Sequence, residues 1–173
     1  MRIRGVVQLV LSLSVLSSAP VPAQLTCADD PAFAALDFWV GEWEVRAEGR
    51  IAGYNRIEKV LGGCAITELW TGADGIEGRS LFYYVPARQQ WRQVWVTQNA
   101  TATGGVKEKQ LVETLADGGV RFQGEIPLVA GGAYLDRTTL TPLPDRNVRQ
   151  HIEISTDGGA TWRTTFDAVY SRR

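Results

Sequence analysis

Chemistry-bearing residues are scarce in this 173-residue chain. It has one histidine (His151), two cysteines (Cys27 and Cys64) and three lysines (Lys59, Lys107 and Lys109). A single histidine with no close cysteine pair lacks the ligand spacing of a zinc site, so no metal is expected. No Gly-x-Ser-x-Gly elbow, Cys-His pairing, HExxH helix or phosphate-binding loop occurs, which removes familiar hydrolase and nucleotide chemistry. No excess of charge of either sign is present: the net charge is -1, with 45% hydrophobic and 21% charged residues. That is an ordinary globular composition, with no electrostatic reason to bind nucleic acid or anionic lipid.

Long hydrophobic runs are also missing, apart from one short one at the start. Arg2 and Arg4 make a basic lead, Val6 to Leu16 an apolar stretch, and Val21-Pro22-Ala23 a small-residue cleavage site. The apolar stretch is far short of the about 20 residues that span a bilayer. It reads as a signal peptide over residues 1–23, leaving one domain over residues 24–173 that is periplasmic or secreted, with no membrane association after cleavage. Gln24-Leu25-Thr26 lacks the small residue that a lipoprotein signal places before its cysteine. Losing Arg2 and Arg4 from 18 basic side chains, against 19 acidic, makes the mature chain mildly acidic. In an oxidising compartment the even cysteine count favours a Cys27–Cys64 disulfide, which would stabilise the fold by about 4 kcal/mol in the chain-entropy account.

What is abundant is turn chemistry and alternation. Asp29-Asp30-Pro31 followed by Ala32-Phe33-Ala34-Ala35-Leu36 predicts one short helix, with Phe33 and Leu36 on a shared face directed at the end of a barrel. From Phe38 onward the period is two, and turn signals such as Gly62-Gly63, Gly104-Gly105, Asp117-Gly118-Gly119 and Asp157-Gly158-Gly159 recur every ten residues or so. Ten strands follow: 38–48, 50–61, 64–71, 78–85, 90–98, 106–115, 120–126, 133–141, 147–155 and 161–171. Short connections between so many consecutive strands bury their edges best in an antiparallel up-and-down β-barrel. A two-sheet sandwich is the alternative. With about ten strands the barrel is too wide for its own side chains to fill, so a cavity is expected.

Alternation then sorts the candidates for that cavity. Glu68 and Trp70 share the apolar face of the third strand. Trp91, Gln93 and Trp95 share one in the fifth, and Tyr84 lies on the fourth. Asp136 and Thr138 face inward from the eighth, Gln150 and Ile152 from the ninth, and Trp162, Phe166 and Tyr170 from the last. Aromatic walls with a few polar atoms are the composition of a small-molecule site, so a small hydrophobic ligand is the expected partner, with no cofactor. The alternative is a packed core. Buried without a cation, Glu68 would have a raised pKa and serve as acid, base or donor; Arg79 or Arg137 would make it structural by pairing with it. An isomerase-, cyclase- or lyase-type enzyme using Glu68 or Asp136 is the second functional reading. His151 invites haem ligation as a third, although it shares its parity with Arg149 and Glu153, on the outer face. Ser155 to Trp162 matches one Asp-box turn, Ser-x-Asp-x-Gly-x-Thr-Trp; a single copy makes a rigid hairpin and no propeller.

Phe38-Trp39-Val40-Gly41-Glu42-Trp43, Gly62-Gly63-Cys64-Ala65-Ile66-Thr67-Glu68, Gly78-Arg79-Ser80-Leu81 with Tyr83-Tyr84, Trp91 to Val96, and Asp157 to Trp162 together resemble lipocalin-like exported bacterial proteins, a family of unknown function. The resemblance spans nearly the whole mature chain and implies a calycin-type barrel. More distantly the chain is similar to nitrobindin, whose late-strand histidine binds haem iron. That likeness is what points to His151, but the glycine-rich opening of that family is not reproduced, since Glu44 and Val45 follow Trp43.

Overall fold

A computed structural model describes residues 26–173, and the signal-peptide reading of residues 1–23 lies outside them. Ten antiparallel strands close into a barrel: β1 Gly41–Ala47, β2 Arg50–Val60, β3 Ala65–Gly72, β4 Glu77–Val85, β5 Gln90–Thr97, β6 Val106–Thr114, β7 Val120–Pro127, β8 Ala133–Pro142, β9 Val148–Ser155 and β10 Arg163–Arg172. Each strand pairs with its neighbours in sequence, and β1 closes on β10 through Val45↔Tyr170 and Ala47↔Ala168. The up-and-down barrel is therefore the architecture, and the sandwich is excluded because no sheet edge is left open.

The strand boundaries follow the turn residues closely, with one informative difference at the start. Strand β1 begins at Gly41, because Asp37–Trp39 curls into a 3-10 turn. The single helix expected over residues 31–36 is likewise replaced by short 3-10 turns, Cys27–Asp29 and Pro31–Ala34, too short to hold an α-helical ladder. Asp30 caps the second of these by accepting from the Ala32 N–H at 2.9 Å.

These turns plug one end of the barrel. Phe33 packs edge-on against Tyr84 and Trp91, with centroids 5.1 and 6.1 Å away, and the Trp91 indole N–H donates to the Ala32 carbonyl at 2.9 Å. The turn at Asp37–Trp39 drives Trp39 into the lumen, where it is 0% exposed and meets Phe82 at 5.3 Å. Trp43 donates from its indole to the Trp39 carbonyl at 3.0 Å, and Phe82 continues to Phe122 at 5.5 Å. The expected Cys27–Cys64 disulfide is present, with Cα atoms 4.9 Å apart, and it fastens the plug to the β2–β3 connection.

Gly41 explains the Gly-Glu-Trp step. Its φ of +152° is a conformation that L side chains rarely adopt, and a Cβ there would meet the Arg172 guanidinium at 2.6 Å. That guanidinium instead lies over Trp43, 4.6 Å from the ring centroid, and donates to the Val40 carbonyl at 3.3 Å. The first and last strands are thus fastened together at the plugged end.

Candidate functional site

The other half of the barrel is hollow. A cavity of about 360 Å³ is lined by Glu68, Trp70, Gln93, Trp95, Lys107, Lys109, Thr138, Gln150, Ile152, Thr165, Phe166 and Tyr170. Trp70, Trp95, Lys107 and Phe166 sit at the strand ends remote from the plug, which places the mouth among the β3–β4, β5–β6 and β9–β10 turns.

Two glycines keep this half open. A Cβ on Gly53 would lie 2.7 Å from the Trp70 indole, and one on Gly78 would lie 2.2 Å from that of Trp95. Each indole therefore lies close against bare backbone, in space that a side chain would otherwise fill. Trp70 also meets Phe166 edge-on at 6.3 Å, giving the cavity an aromatic wall.

Below the wall lies a polar network. Glu68 is 4% exposed and accepts from Asn55 Nδ2 at 2.8 Å and from Ser80 Oγ at 2.6 Å. The register brings these groups together, since Ile57↔Glu68 and Glu68↔Ser80 are cross-strand pairs and Asn55 lies two residues before Ile57. Gln93 donates to Ser80 Oγ at 3.1 Å, and Tyr170 donates from its hydroxyl to Gln150 Oε1 at 2.6 Å. Burial pushes the Glu68 carboxyl up from its ordinary value, opposed by the hydrogen bonds from Ser80 and Asn55 and by the charge of Lys109. Burial raises the Tyr170 phenol well above its usual value, helped by the nearby Glu68 charge. Neither Arg79 nor Arg137 reaches Glu68. Arg79 bonds Glu77 and the Trp70 carbonyl, and Arg137 holds Glu153 through two nitrogens on the outer wall.

A second cluster is ionic. Asp136, 0% exposed, accepts from Lys107 at 2.6 Å through one oxygen and from Lys109 through the other; Lys109 also donates to Thr138 Oγ1 at 2.6 Å. Burial pulls the Lys109 ammonium down to about 8, against the attraction of Asp136 and with the repulsion of Lys107. Among the described residues no group of three His, Cys, Asp or Glu side chains is placed to hold a metal ion.

Of the eight side chains expected to meet a ligand, the structure brings Glu68, Trp70, Gln93, Trp95 and Gln150 to the cavity. Tyr84 and Trp91 share that inner face but lie at the plugged end against Phe33. Alternation specifies a face and not a height along the barrel, which is why they were grouped with the others. Asp136 points inward as expected but stands behind the two lysines that pair with it. Trp162 is corrected: it precedes β10 and packs under Arg137, 3.9 Å from ring centroid to guanidinium carbon, on the outer wall. The register slips by one residue between Thr164 and Phe166, so counting in twos across that bulge reverses the face, and Thr165 joins the cavity lining.

His151 lies on the outer wall, bonded to Thr164 Oγ1 at 2.9 Å and 3.7 Å from Glu153, while its neighbours Gln150 and Ile152 line the cavity. The residues present do not fit a haem bound in the lumen through this histidine. Alternation does not single out Lys107 and Lys109, because β6 (Val-Lys-Glu-Lys-Gln-Leu-Val-Glu-Thr) has no apolar face to orient it. The available signal is the β5–β6 register, in which Gln93↔Lys109 and Trp95↔Lys107 are partners and so share the inner face.

Fold and site define the class: a closed ten-stranded antiparallel β-barrel, consistent with a lipocalin- or calycin-like fold, plugged at one end and hollow at the other. No protein-family model and no curated protein matches the chain. Among the described residues no helix is long and apolar enough to cross a membrane.

Proposed function

We propose that this chain is an exported binding protein, its signal peptide of residues 1–23 removed, which holds a small apolar or aromatic molecule in the outer half of its barrel. The observation that carries the reading is the cavity of about 360 Å³ beside Trp70, Trp95, Ile152 and Phe166, held open by indoles lying on Gly53 and Gly78. Apolar walls of this kind supply affinity, and Glu68, Gln93 and Gln150 supply orientation. The Cys27–Cys64 disulfide fits an oxidising compartment.

Tryptophan fluorescence tests it, because two of the chain's six tryptophans border the cavity. Titrating the mature protein with a library of hydrophobic and aromatic compounds should quench or shift emission, and a Trp70→Phe, Trp95→Phe double variant should lose most of that response. Silence across the library would end the proposal.

One observation favours a second reading, acid catalysis in the same cavity. Glu68 is a lining carboxyl whose pKa burial raises from its ordinary value, while Asp136 is committed to two lysines. Mass spectrometry of bound ligand before and after incubation would decide it. Conversion by the wild type and not by Glu68→Gln supports catalysis, and unchanged ligand in both supports binding alone.

A further inference from the structure

The side chains bordering the cavity do not balance in charge. Lys107 and Lys109 both line it, on adjacent inward positions of β6, and the carboxylate they share, Asp136, lies behind them on β8. The other acidic groups facing Lys109 and Asp136 are Glu68 on β3 and the Tyr134 phenol on β8. Burial raises the Glu68 carboxyl against the hydrogen bonds from Ser80 and Asn55, and the Tyr134 phenol is raised by burial and by Asp136. Glu68 bonds Asn55 and Ser80 and neither lysine, so within the ion-paired cluster itself two ammonium groups share one carboxylate.

Hydrogen bonding has a matching surplus. Two ammonium groups carry six N–H bonds, of which three go to Asp136 and Thr138. The Lys109 side chain is only 3% exposed and that of Lys107 is 20% exposed, so water serves the remaining donors poorly. An ammonium donor left buried without an acceptor carries the full cost of its desolvation. At the same wall, Gln93 is nine-tenths buried and its Oε1 has no hydrogen-bond partner among the described residues. Gln93 lies directly across from Lys109 in the β5–β6 register. Spare N–H donors therefore stand where the aromatic wall meets β6, and the unpaired Gln93 oxygen beside them, an acceptor, is open to an N–H or O–H and not to an anion.

We propose that the molecule held in this barrel is an organic monoanion, an apolar or aromatic body ending in a carboxylate, whose head is bound by Lys107 and Lys109 and whose body lies against Trp70, Trp95 and Phe166. This rests on the binding reading above and adds the chemical class of the ligand. One negative charge matches the one ammonium that Asp136 leaves uncompensated in the lysine cluster, whereas a phosphate dianion would bring excess negative charge into a poorly solvated site. The carboxylate oxygens take up the spare N–H donors, and the flat indole faces suit a planar or extended body.

Calorimetric titration at pH 7 with decanoate and 2-naphthoate, each against its methyl ester, tests this. At least one carboxylate should bind tenfold or more tightly than its ester. Lys107→Gln, at a partly exposed position where folding is safe, should remove most of that preference, carboxylate affinity falling far more than ester affinity. Carboxylate affinity should also fall as pH rises past about 8, where Lys109 loses its proton. Equal binding of acid and ester would overturn the charge assignment and leave the binding function standing. A preference surviving in Lys107→Gln would equally overturn the assignment. No heat from any of the four probes, together with no fluorescence response across the library, would remove the binding function and this inference with it.

Discussion

The two halves of the barrel are built on the same alternation and come out differently. At the plugged end the inward side chains include Trp39, Trp43, Phe82, Phe122, Tyr84 and Trp91, whose rings pack edge to face or tilted against one another and against Phe33 and Tyr170. At the other end two tryptophans occupy inward positions as well, yet the lumen stays hollow, because each lies on a glycine and the positions between are polar. Ring count is therefore a poor guide to filling. What decides is whether the neighbouring residue supports a ring upright or lets it fall against the wall.

This comparison can be broken in stages. The largest effect belongs to the plugged end. Trp39→Ala removes a ring that is 0% exposed and in contact with Phe82 and Tyr170, and should cost about 4 kcal/mol in urea unfolding. A loss under 1 kcal/mol would show that the plug is not the structural core. Next comes Gly78→Ala, which sets a methyl group 2.2 Å from the resting position of the Trp95 ring. The indole must swing into the cavity. We expect a cost of about 2 kcal/mol, a changed tryptophan emission and weakened binding of any cavity ligand. Unaltered emission and affinity would refute the account of how the hollow is kept.

The smallest effect concerns Glu68. Its folded pKa is raised above the ordinary 4.5, so the stability it allows is fully present below pH 4.5 and is lost as pH rises through the folded value. Glu68→Gln removes that loss. It keeps a hydrogen-bonding group between Ser80 and Asn55, whose Oδ1 is free to accept from the new amide. The variant's advantage over the wild type should be near nil at pH 4 and grow toward pH 8, read as the difference in urea midpoints. Parallel pH profiles for the two proteins would contradict the buried-acid description.

Much of the site was legible from the chain itself, though unevenly. Glu68, Trp70, Gln93, Trp95 and Gln150 reach the cavity because an uninterrupted strand keeps its parity, and apolar neighbours identify which parity faces inward. Trp162 escaped that logic because one extra residue at the β10 bulge reverses the face. Tyr84 and Trp91 escaped it because period two contains no information about height. The lysines of β6 escaped it because both faces of that strand are polar.

The amino-acid order alone determined the ten strands, their antiparallel pairing with neighbours in sequence and the cysteines available to pair, since turn residues and two-residue alternation act locally and the short connections leave neighbours little choice of partner, whereas closure into a barrel is decided by the tertiary pairing of β1 with β10. Only the tertiary structure decided which end is filled and which is hollow, and that two lysines share one buried carboxylate at the cavity wall. Those outcomes depend on cross-strand register and on contacts between residues far apart in the chain, Lys109 with Asp136 and Trp70 with Phe166, which no local pattern encodes.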